Sequence, residues 1–144
     1  MKFLRDLTVL VLGLGESGLA MDAWCARHGA TVREWDSREQ TPKREALALA
    51  VPAATLSSVE LSIDALQGVQ LVLKSPGLSP RDERVAALLK AARDQGVAIQ
   101  GELDLFARAL ADLEEERAYT PQVVAITGTN GKTTTTALTA LLIE

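Results

Sequence analysis

The fold is indicated most clearly by the stretch Thr8-Val-Leu-Val-Leu-Gly-Leu-Gly-Glu-Ser-Gly18, an apolar run that ends in closely spaced glycines. Residues 8–12 are short and apolar, which is typical of a strand covered on both faces. Residues 17–28 then have the pattern of a helix, and Gly29 follows as its left-handed stop. A strand, a glycine turn and a helix in this order predict the opening unit of a parallel α/β sheet.

The same alternation of strand and helix continues along the chain, which predicts an α/β fold: a Rossmann-like parallel sheet with flanking helices over residues 1–117. Helices are predicted from Thr41-Pro42 to about residue 50, from Ser79-Pro80 to Gly96, and through 103–113. A charged run, 114–117, precedes residues 118–121, which we expect to be the linker to a second domain. Further strands are predicted at 31–35, 54–56, 69–73 and 97–100, with a helical turn near 63–66.

The composition argues against several classes of protein. A net charge of −4 gives no general reason to expect a nucleic-acid partner, and 47% hydrophobic with 24% charged residues is ordinary for a globular chain. The longest apolar run is far shorter than the roughly 20 residues of a membrane-spanning helix, so no membrane insertion is expected. Cys25 is the only cysteine, so no internal disulfide can form and a reducing, cytoplasmic location is expected.

The first glycine loop, Gly13-Leu-Gly-Glu-Ser-Gly18, is a candidate site for a nucleotide diphosphate. Glycines let the backbone approach phosphates closely, and a helix N-terminus offers unpaired N–H groups and a partial positive charge. The Glu16 carboxylate would repel a diphosphate, so we expect its side chain to turn away while its backbone contributes. Asp36 ends the second predicted strand, where a carboxylate can accept hydrogen bonds from a ribose. Arg38 either offers a bidentate fork to an anion or is an exposed surface arginine.

A third candidate loop, Ser75-Pro-Gly77, follows the strand predicted at 69–73. In parallel sheets, ligands bind beyond the carboxyl ends of the strands. Gly15, Asp36 and Ser75 are all predicted at such ends, so one ligand can contact all three loops.

The second glycine loop is Thr127-Gly-Thr-Asn-Gly-Lys-Thr133, between a strand predicted at 122–126 and a helix that begins near Lys132. Ile126 occupies the first glycine position of the general phosphate-loop pattern, but the functional end of that pattern is intact. A lysine there meets the β- and γ-phosphates, and the hydroxyl after it is a ligand of Mg²⁺. We therefore expect residues 122–144 to be the first strand, P-loop and helix of a truncated ATPase domain, and the chain to be the front of a larger enzyme.

Together these motifs resemble the Mur ligases of bacterial peptidoglycan synthesis, over essentially the whole chain. The loop at 127–133 is similar to the ATP loop that Mur ligases share with folylpolyglutamate synthases. Glu16 departs from the apolar or small residue usual in the family. Four front segments resemble the D-glutamate-adding branch in order and spacing: Val11-Leu-Gly-Leu-Gly-Glu-Ser-Gly-Leu19, Asp36-Ser-Arg38, Ser75-Pro-Gly77 and Gly101-Glu-Leu-Asp-Leu-Phe106.

The resemblance implies a first domain that binds the UDP moiety of UDP-N-acetylmuramoyl-L-alanine without a nicotinamide. The implied diphosphate contacts, mostly through backbone, are Gly15, Glu16, Ser17 and Gly18. The residues implied to hold the uridine end are Asp36, Ser37 and Arg38, and those implied to close over the ligand are Ser75, Pro76 and Gly77. The implied ATP-binding residues are Gly128, Thr129, Asn130, Gly131, Lys132, Thr133 and Thr134, with Lys132 and Thr133 catalytic and Thr133 on Mg²⁺.

In the implied reaction, ATP phosphorylates the substrate carboxylate, and the amine of D-glutamate then attacks the acyl phosphate. The sequence has no counterpart of the family's later metal-binding Glu and His, modified lysine or D-glutamate domain, so we expect this chain alone not to catalyse the ligation. The full-length enzyme is expected to be a monomer. The helix after Lys132 has an apolar stripe at Leu138, Leu141 and Leu142. We expect it to pack on the first domain, to associate with another copy of the chain, or to be mobile.

Two other interpretations stay open on the sequence alone. An NAD-dependent oxidoreductase domain fits the first glycine loop and Asp36, but it leaves the second glycine loop unexplained. A non-catalytic nucleotide-sensing module fits a short chain, but it does not explain the start of a P-loop domain.

Overall fold

Helices and strands alternate along most of the chain. The structure is a computed structural model that describes residues 2–79 and 81–143; Pro80, expected at a helix start, lies outside them. The strands are β1 (Thr8–Leu12), β2 (Thr31–Trp35), β3 (Thr55–Ser57), β4 (Leu71–Lys74) and β5 (Ala98–Gln100). The helices are α1 (Glu16–Arg27), α2 (Arg44–Ala50), α3 (Glu83–Asp94), α4 (Glu102–Arg117) and α5 (Lys132–Ile143), with 3₁₀ turns at Lys2–Leu4 and Ile63–Leu66.

The five strands form one parallel sheet in the order β3-β2-β1-β4-β5. β1 is central: its Val11 is in register with Glu34 of β2 on one side and with Leu73 of β4 on the other. The chain first adds strands on one side of β1 and then crosses to the other side at β4. Open α/β sheets bind ligands at such a switch point, beyond the carboxyl ends of the strands. The predicted α/β class, with a parallel Rossmann-like sheet and flanking helices, is confirmed.

Both faces of the sheet are covered, as its apolar strands require. Side chains of β1 alternate between two cores. Val9 and Val11 lie in the core that α1, α2 and α4 cover, whereas Leu10 and Leu12 lie in the core that α3 covers. Within the residues that the structure describes, no helix is both long and apolar enough to cross a membrane.

Helix α2 begins further along the chain than the Thr41-Pro42 pattern predicts. Thr41 is buried, and its hydroxyl donates to the Leu14 carbonyl at 3.3 Å instead of capping the helix. Pro42 lies in a turn, and the helix starts at Arg44 after Lys43. The threonine therefore ties this segment to the first glycine loop.

The strand predicted at 122–126 is wrong, because residues 118–131 contain neither helix nor strand. A strand exists only within a hydrogen-bonded ladder, and the sheet of the described residues consists of β1 to β5 alone. Helix α5 does begin at Lys132, as predicted, but none of its described residues is buried. Packing of α5 on the first domain, one of its three expected fates, is therefore not what the structure shows.

Candidate functional site

The loop after β1 turns sharply and leads directly into α1. Gly13 has a φ of +97°, a left-handed conformation that favours glycine, and its N–H donates to the Trp35 carbonyl at 2.7 Å. A Cβ at Gly13 would lie 3.0 Å from Leu78 Cγ and 3.3 Å from Ser75 Cβ. Gly13 therefore lets the loops after β1 and β4 lie against each other at the switch point.

Gly15 and Gly18 have different surroundings within this loop. A Cβ at Gly18 would lie 2.1 Å from the Gly13 carbonyl oxygen, so only glycine fits where α1 approaches the end of β1. A Cβ at Gly15 would meet nothing within 4 Å. Gly15 precedes α1 as its N-cap, and no side chain caps the helix. The N-terminus of α1 thus has no side-chain cap and has open space at Gly15, two features that an anion site at a helix N-terminus requires.

Glu16 does not direct its charge into this space. Its side chain is 83% exposed and forms an ion pair with Lys43. The expectation that the Glu16 side chain turns away from a diphosphate stays a prediction, and the ion pair with Lys43 agrees with it. Glu16 and Ser17 contribute the backbone of the first turn of α1.

Asp36 clamps the loop after β2 to the loop after β1. Its side chain is buried, and Oδ2 accepts the Leu14 N–H at 2.8 Å. Arg38 donates its backbone N–H and Nε to Oδ1, both at 2.8 Å, and Nη2 to Oδ2 at 2.9 Å. Four donors saturate the carboxylate, so a ligand hydroxyl would have to displace one of them.

The charge of Asp36 is stabilised by these donors. Burial by itself would raise the pKa of Asp36, but the hydrogen bonds from Arg38 and from the Leu14 N–H outweigh it. The net result is a pKa below the usual range, so Asp36 is ionised at neutral pH. Arg38 is 54% exposed in its side chain, and its fork is directed at Asp36. Ser37, between the two residues, is exposed.

The loop after β4 completes the site. Ser75 is buried, and its N–H donates to the Leu12 carbonyl at 3.0 Å. Lys74 braces the turn from within, since its Nζ donates to the carbonyls of Leu78 at 2.8 Å and Ser75 at 3.2 Å. Pro76 and Gly77 are exposed at the tip of this turn.

Two buried carboxyls near the glycine loop were missed in the sequence. Asp22 of α1 is 0% exposed and Glu34 of β2 is 1% exposed. Periodicity could have located both of them. Asp22 follows Gly18 at helical spacing, next to Met21, and Glu34 alternates with Val32 in β2. Cys25, one turn after Asp22, is also buried, and burial and then the charge of Asp22 raise its pKa to about 12. It is therefore an unreactive thiol.

The second glycine loop stands apart from this site. Gly128 and Gly131 have φ angles of +156° and +76°, so the loop is a tight glycine turn that enters α5. The Lys132 ammonium folds back and donates to the Gly128 carbonyl at 2.6 Å. All residues of the loop are exposed, and Thr129, Asn130, Thr133 and Thr134 are among them. The structure thus brings the three strand-end loops together and leaves residues 127–134 outside that group.

A parallel sheet with this strand order and helices on both faces defines a Rossmann-like α/β fold, and the three loops lie at its switch point. A family model described as "Mur ligase MurD-like, N-terminal domain" matches residues 7–101. The chain belongs to this family, the MurD-like Mur ligases.

Curated relatives agree with the family. The chain is 57% identical to UDP-N-acetylmuramoylalanine–D-glutamate ligase of Ralstonia nicotianae over 94% of its own length and 27% of that protein. It is 52% identical to the protein of the same name from Albidiferax ferrireducens, over 100% of its own length and 28% of that protein. The chain thus spans little more than a quarter of the length of these relatives.

Solved structures support the fold alone. Shikimate dehydrogenase from Aquifex aeolicus matches with a TM-score of 0.52 and 19% identity, over 82% of this chain and 51% of that one. Glutamyl-tRNA reductase from Methanopyrus kandleri matches with a TM-score of 0.51 and 21% identity, over 79% and 34% of the two chains. At such identities the likeness concerns architecture and not substrate.

Proposed function

We propose that this chain binds the UDP moiety of UDP-N-acetylmuramoyl-L-alanine, as the front part of a ligase that adds D-glutamate to it in peptidoglycan synthesis. The observation that carries the proposal is the open N-terminus of α1 beside Gly15, at the switch point of a MurD-like domain. The names of the relatives supply the substrate class.

In this proposal the diphosphate lies over the start of α1. The backbone N–H groups of Glu16, Ser17 and Gly18 bind its oxygens, and the helix dipole favours its charge. Gly15 borders the diphosphate without donating to it, because its own N–H donates to the Gly13 carbonyl at 3.0 Å. The open space above Gly15 and the outward direction of the Glu16 carboxylate support this placement.

The uridine end lies along Asp36, Ser37 and Arg38, and Ser75, Pro76 and Gly77 close over the ligand. Asp36 works mainly as the clamp that sets the Leu14 and Arg38 backbones, since its carboxylate is saturated. The exposed Ser37 hydroxyl and the half-exposed Arg38 guanidinium are the groups that face solvent here. The tip of the turn at 76–77 is exposed, and the residues on either side of it, Ser75 and Leu78, lie against Gly13.

ATP and Mg²⁺ belong to the second glycine loop in this account. The loop from Gly128 to Thr134 has the glycine conformations and helix start that a phosphate needs, and Lys132 has to leave the Gly128 carbonyl to reach it. In this proposal Mg²⁺ arrives with ATP and meets the Thr133 hydroxyl.

The ligation is a property of the whole enzyme. ATP transfers its γ-phosphoryl group to the substrate carboxylate, and the D-glutamate amine displaces phosphate to form the amide. The work of Lys132 and Thr133 is to position and neutralise the phosphoryl group. We propose that this chain binds UDP but does not ligate, and that the enzyme acts in the cytoplasm.

A calorimetric titration tests the proposal. The chain is titrated separately with UDP-N-acetylmuramoyl-L-alanine, UDP and NADH. We expect saturable binding of both uridine ligands, and a ligand at 100 times its Kd stabilises the fold by about 2.7 kcal/mol. Selective binding of NADH would instead support an oxidoreductase domain, which the family match does not favour.

A further inference from the structure

Two carboxyl groups lie together beneath the glycine loop. Asp22 and Glu34 are 0% and 1% exposed. Among the described residues, Asp22 has the Glu34 carboxyl as its hydrogen-bond partner, and Glu34 has Asp22 and the backbone of Gly13. Two ionised carboxylates in such a place would repel each other without compensation.

Glu34 is placed directly under the proposed anion site. Its Oε2 lies 4.0 Å from the position that a Cβ on Gly18 would occupy. Gly18 belongs to the first turn of α1, the turn that begins beside the open space at Gly15. A charge on Glu34 is therefore felt at the N-terminus of this helix.

Charged neighbours do not neutralise the pair. Asp36 adds a further negative charge at the end of β2, and its partner Arg38 is already directed at it. Cys25, on the same face of α1, stays a neutral thiol. On α2, Arg44 and Glu45 are exposed, and Lys43 before it is paired with the exposed Glu16.

A proton shared between the two carboxyls removes the repulsion between two buried negative charges. Burial raises the pKa of Glu34, and the adjacent Asp22 carboxylate raises it further. Burial also raises the pKa of Asp22, while the hydrogen bond with Glu34 opposes that shift. Glu34 is therefore the member that holds the proton, and its O–H donates to the Asp22 carboxylate.

We propose that Glu34 and Asp22 form a proton-holding pair that sets the charge beneath the diphosphate loop, and that a diphosphate binds best while both carboxyls hold a proton. The proposal rests on the proposed function, because it assigns these positioning residues to the same anion site. A unit charge within about 10 Å of an anion, at an effective dielectric constant of about 20, changes affinity on the order of tenfold. As pH rises, Asp22 loses its proton first, because its pKa is raised less than that of Glu34, and affinity should then fall by that factor.

The test is calorimetry of the 144-residue chain with UDP-N-acetylglucosamine between about pH 6.5 and about pH 8.5. The diphosphate of this probe is esterified at both ends and lacks the second phosphate ionisation near pH 6. We expect the wild-type affinity to fall on the order of tenfold across this range. Titrations in two buffers with different ionisation enthalpies should show proton uptake on binding at the upper end.

Variants separate the pair from a general pH effect. Asp22→Asn removes the group that titrates in this range, and we expect its affinity to stay high and nearly independent of pH. Glu34→Gln keeps the shape of the protonated side chain and should retain a pH-dependent affinity. Glu45→Gln removes an exposed carboxylate from α2 and should retain the wild-type profile. Parallel profiles for wild type and Asp22→Asn, or wild-type binding without proton uptake, would overturn the proposal.

A measurement without ligand tests the carboxyl pair even if the proposed function is wrong. If no variant binds the probe at any pH, the uridine site is wrong, and infrared spectroscopy still tests the pair. A protonated-carboxyl band at neutral pH that Glu34→Gln removes would support the shared proton. Absence of that band in the wild type would refute it.

Discussion

Three glycines in one loop perform three different tasks. Gly13 adopts a left-handed turn, Gly18 leaves room for the Gly13 carbonyl, and Gly15 borders open space at the start of α1. The motif alone does not distinguish these tasks, because the spacing of the glycines says nothing about which Cβ would meet an atom.

Alanine at Gly15 and at Gly18 should separate binding from stability. Gly15 has a φ of −104°, which alanine tolerates, and alanine is a poorer N-cap than glycine, so Gly15→Ala should lower the free energy of unfolding by at most about 1 kcal/mol. The new methyl group would occupy the space proposed for the diphosphate and weaken UDP binding by at least about tenfold. Chemical denaturation and calorimetry measure the two effects.

Gly18→Ala is the matched change in the same loop. Its Cβ would lie 2.1 Å from a backbone oxygen, so we expect a loss of stability on the order of 3 kcal/mol. Equal losses of stability for the two variants, or unchanged UDP binding by Gly15→Ala, would contradict the assignment.

The Asp36 clamp gives a pH-dependent contribution to stability. Asp36→Asn should lower the free energy of unfolding by about 1–3 kcal/mol at neutral pH, since a buried, charge-assisted network loses its acceptor. The folded pKa lies below the ordinary value. The contribution is therefore present above the unfolded pKa of about 3.9 and is lost as pH falls through the folded pKa.

Urea denaturation of wild type and Asp36→Asn at neutral and acid pH measures this effect. The gap in stability should shrink at the acid end, and Asp64→Asn, which removes an exposed carboxylate, should show little gap at either pH. A gap that stays constant down to the acid end would mean that the Asp36 charge contributes nothing.

For single residues, the sequence predicted that Asp36 and Ser75 lie at the carboxyl ends of strands, because strand ends are easy to locate. It did not predict the saturation of the Asp36 carboxylate. That depends on Leu14, a residue 22 positions away whose N–H is brought there by the parallel pairing of β1 and β2. Asp22 and Glu34 were not predicted, because charged residues are mostly exposed and their burial depends on how α1 packs on β2.

Among the elements, β1 and β2 were predicted with the bounds that the structure has, because both are apolar, short and bounded by glycine or a carboxylate. The segment at 122–126 has an equally suitable sequence and forms no strand. The difference is a partner: β1 pairs with two strands, whereas 122–126 pairs with none in the described sheet. The local sequence pattern predicts that a segment is able to form a strand, but the strand forms only where a neighbouring strand pairs with it by hydrogen bonds.

Helix α4 is fixed to the domain by one face. Leu105 is 4% exposed within the core under α1, whereas Leu103, on the same helix, is 81% exposed. We expect Leu105→Ala to lower the free energy of unfolding by about 2–4 kcal/mol and Leu103→Ala to change it by less than about 0.5 kcal/mol. Denaturation of both variants measures this, and similar effects would show that α4 does not dock as described.

At the scale of the whole molecule, α5 has apolar side chains that no other part of the described chain buries. Leu138, Leu141 and Leu142 are 57%, 69% and 88% exposed, and exposed apolar stripes favour association. Of the expected fates of this helix, self-association or mobility remain. We predict concentration-dependent association of this chain in sedimentation velocity.

Leu141→Lys should reduce that association, because it places a charge within the stripe. Ala140→Lys adds the same charge on the opposite face of α5 and should leave the association unchanged. A wild-type chain that is monomeric at every concentration would refute self-association and leave a mobile, solvent-exposed helix.

The central claim is that the loops after β1, β2 and β4 form one uridine-diphosphate site, separate from the loop at 127–133. Amide NMR spectra of the chain during titration with UDP test it most directly. The account predicts saturable shift changes clustered at residues 13–18, 36–38 and 75–77, with little change at 127–133. Shift changes centred on 127–133, or no saturable change in the three loops, would contradict it.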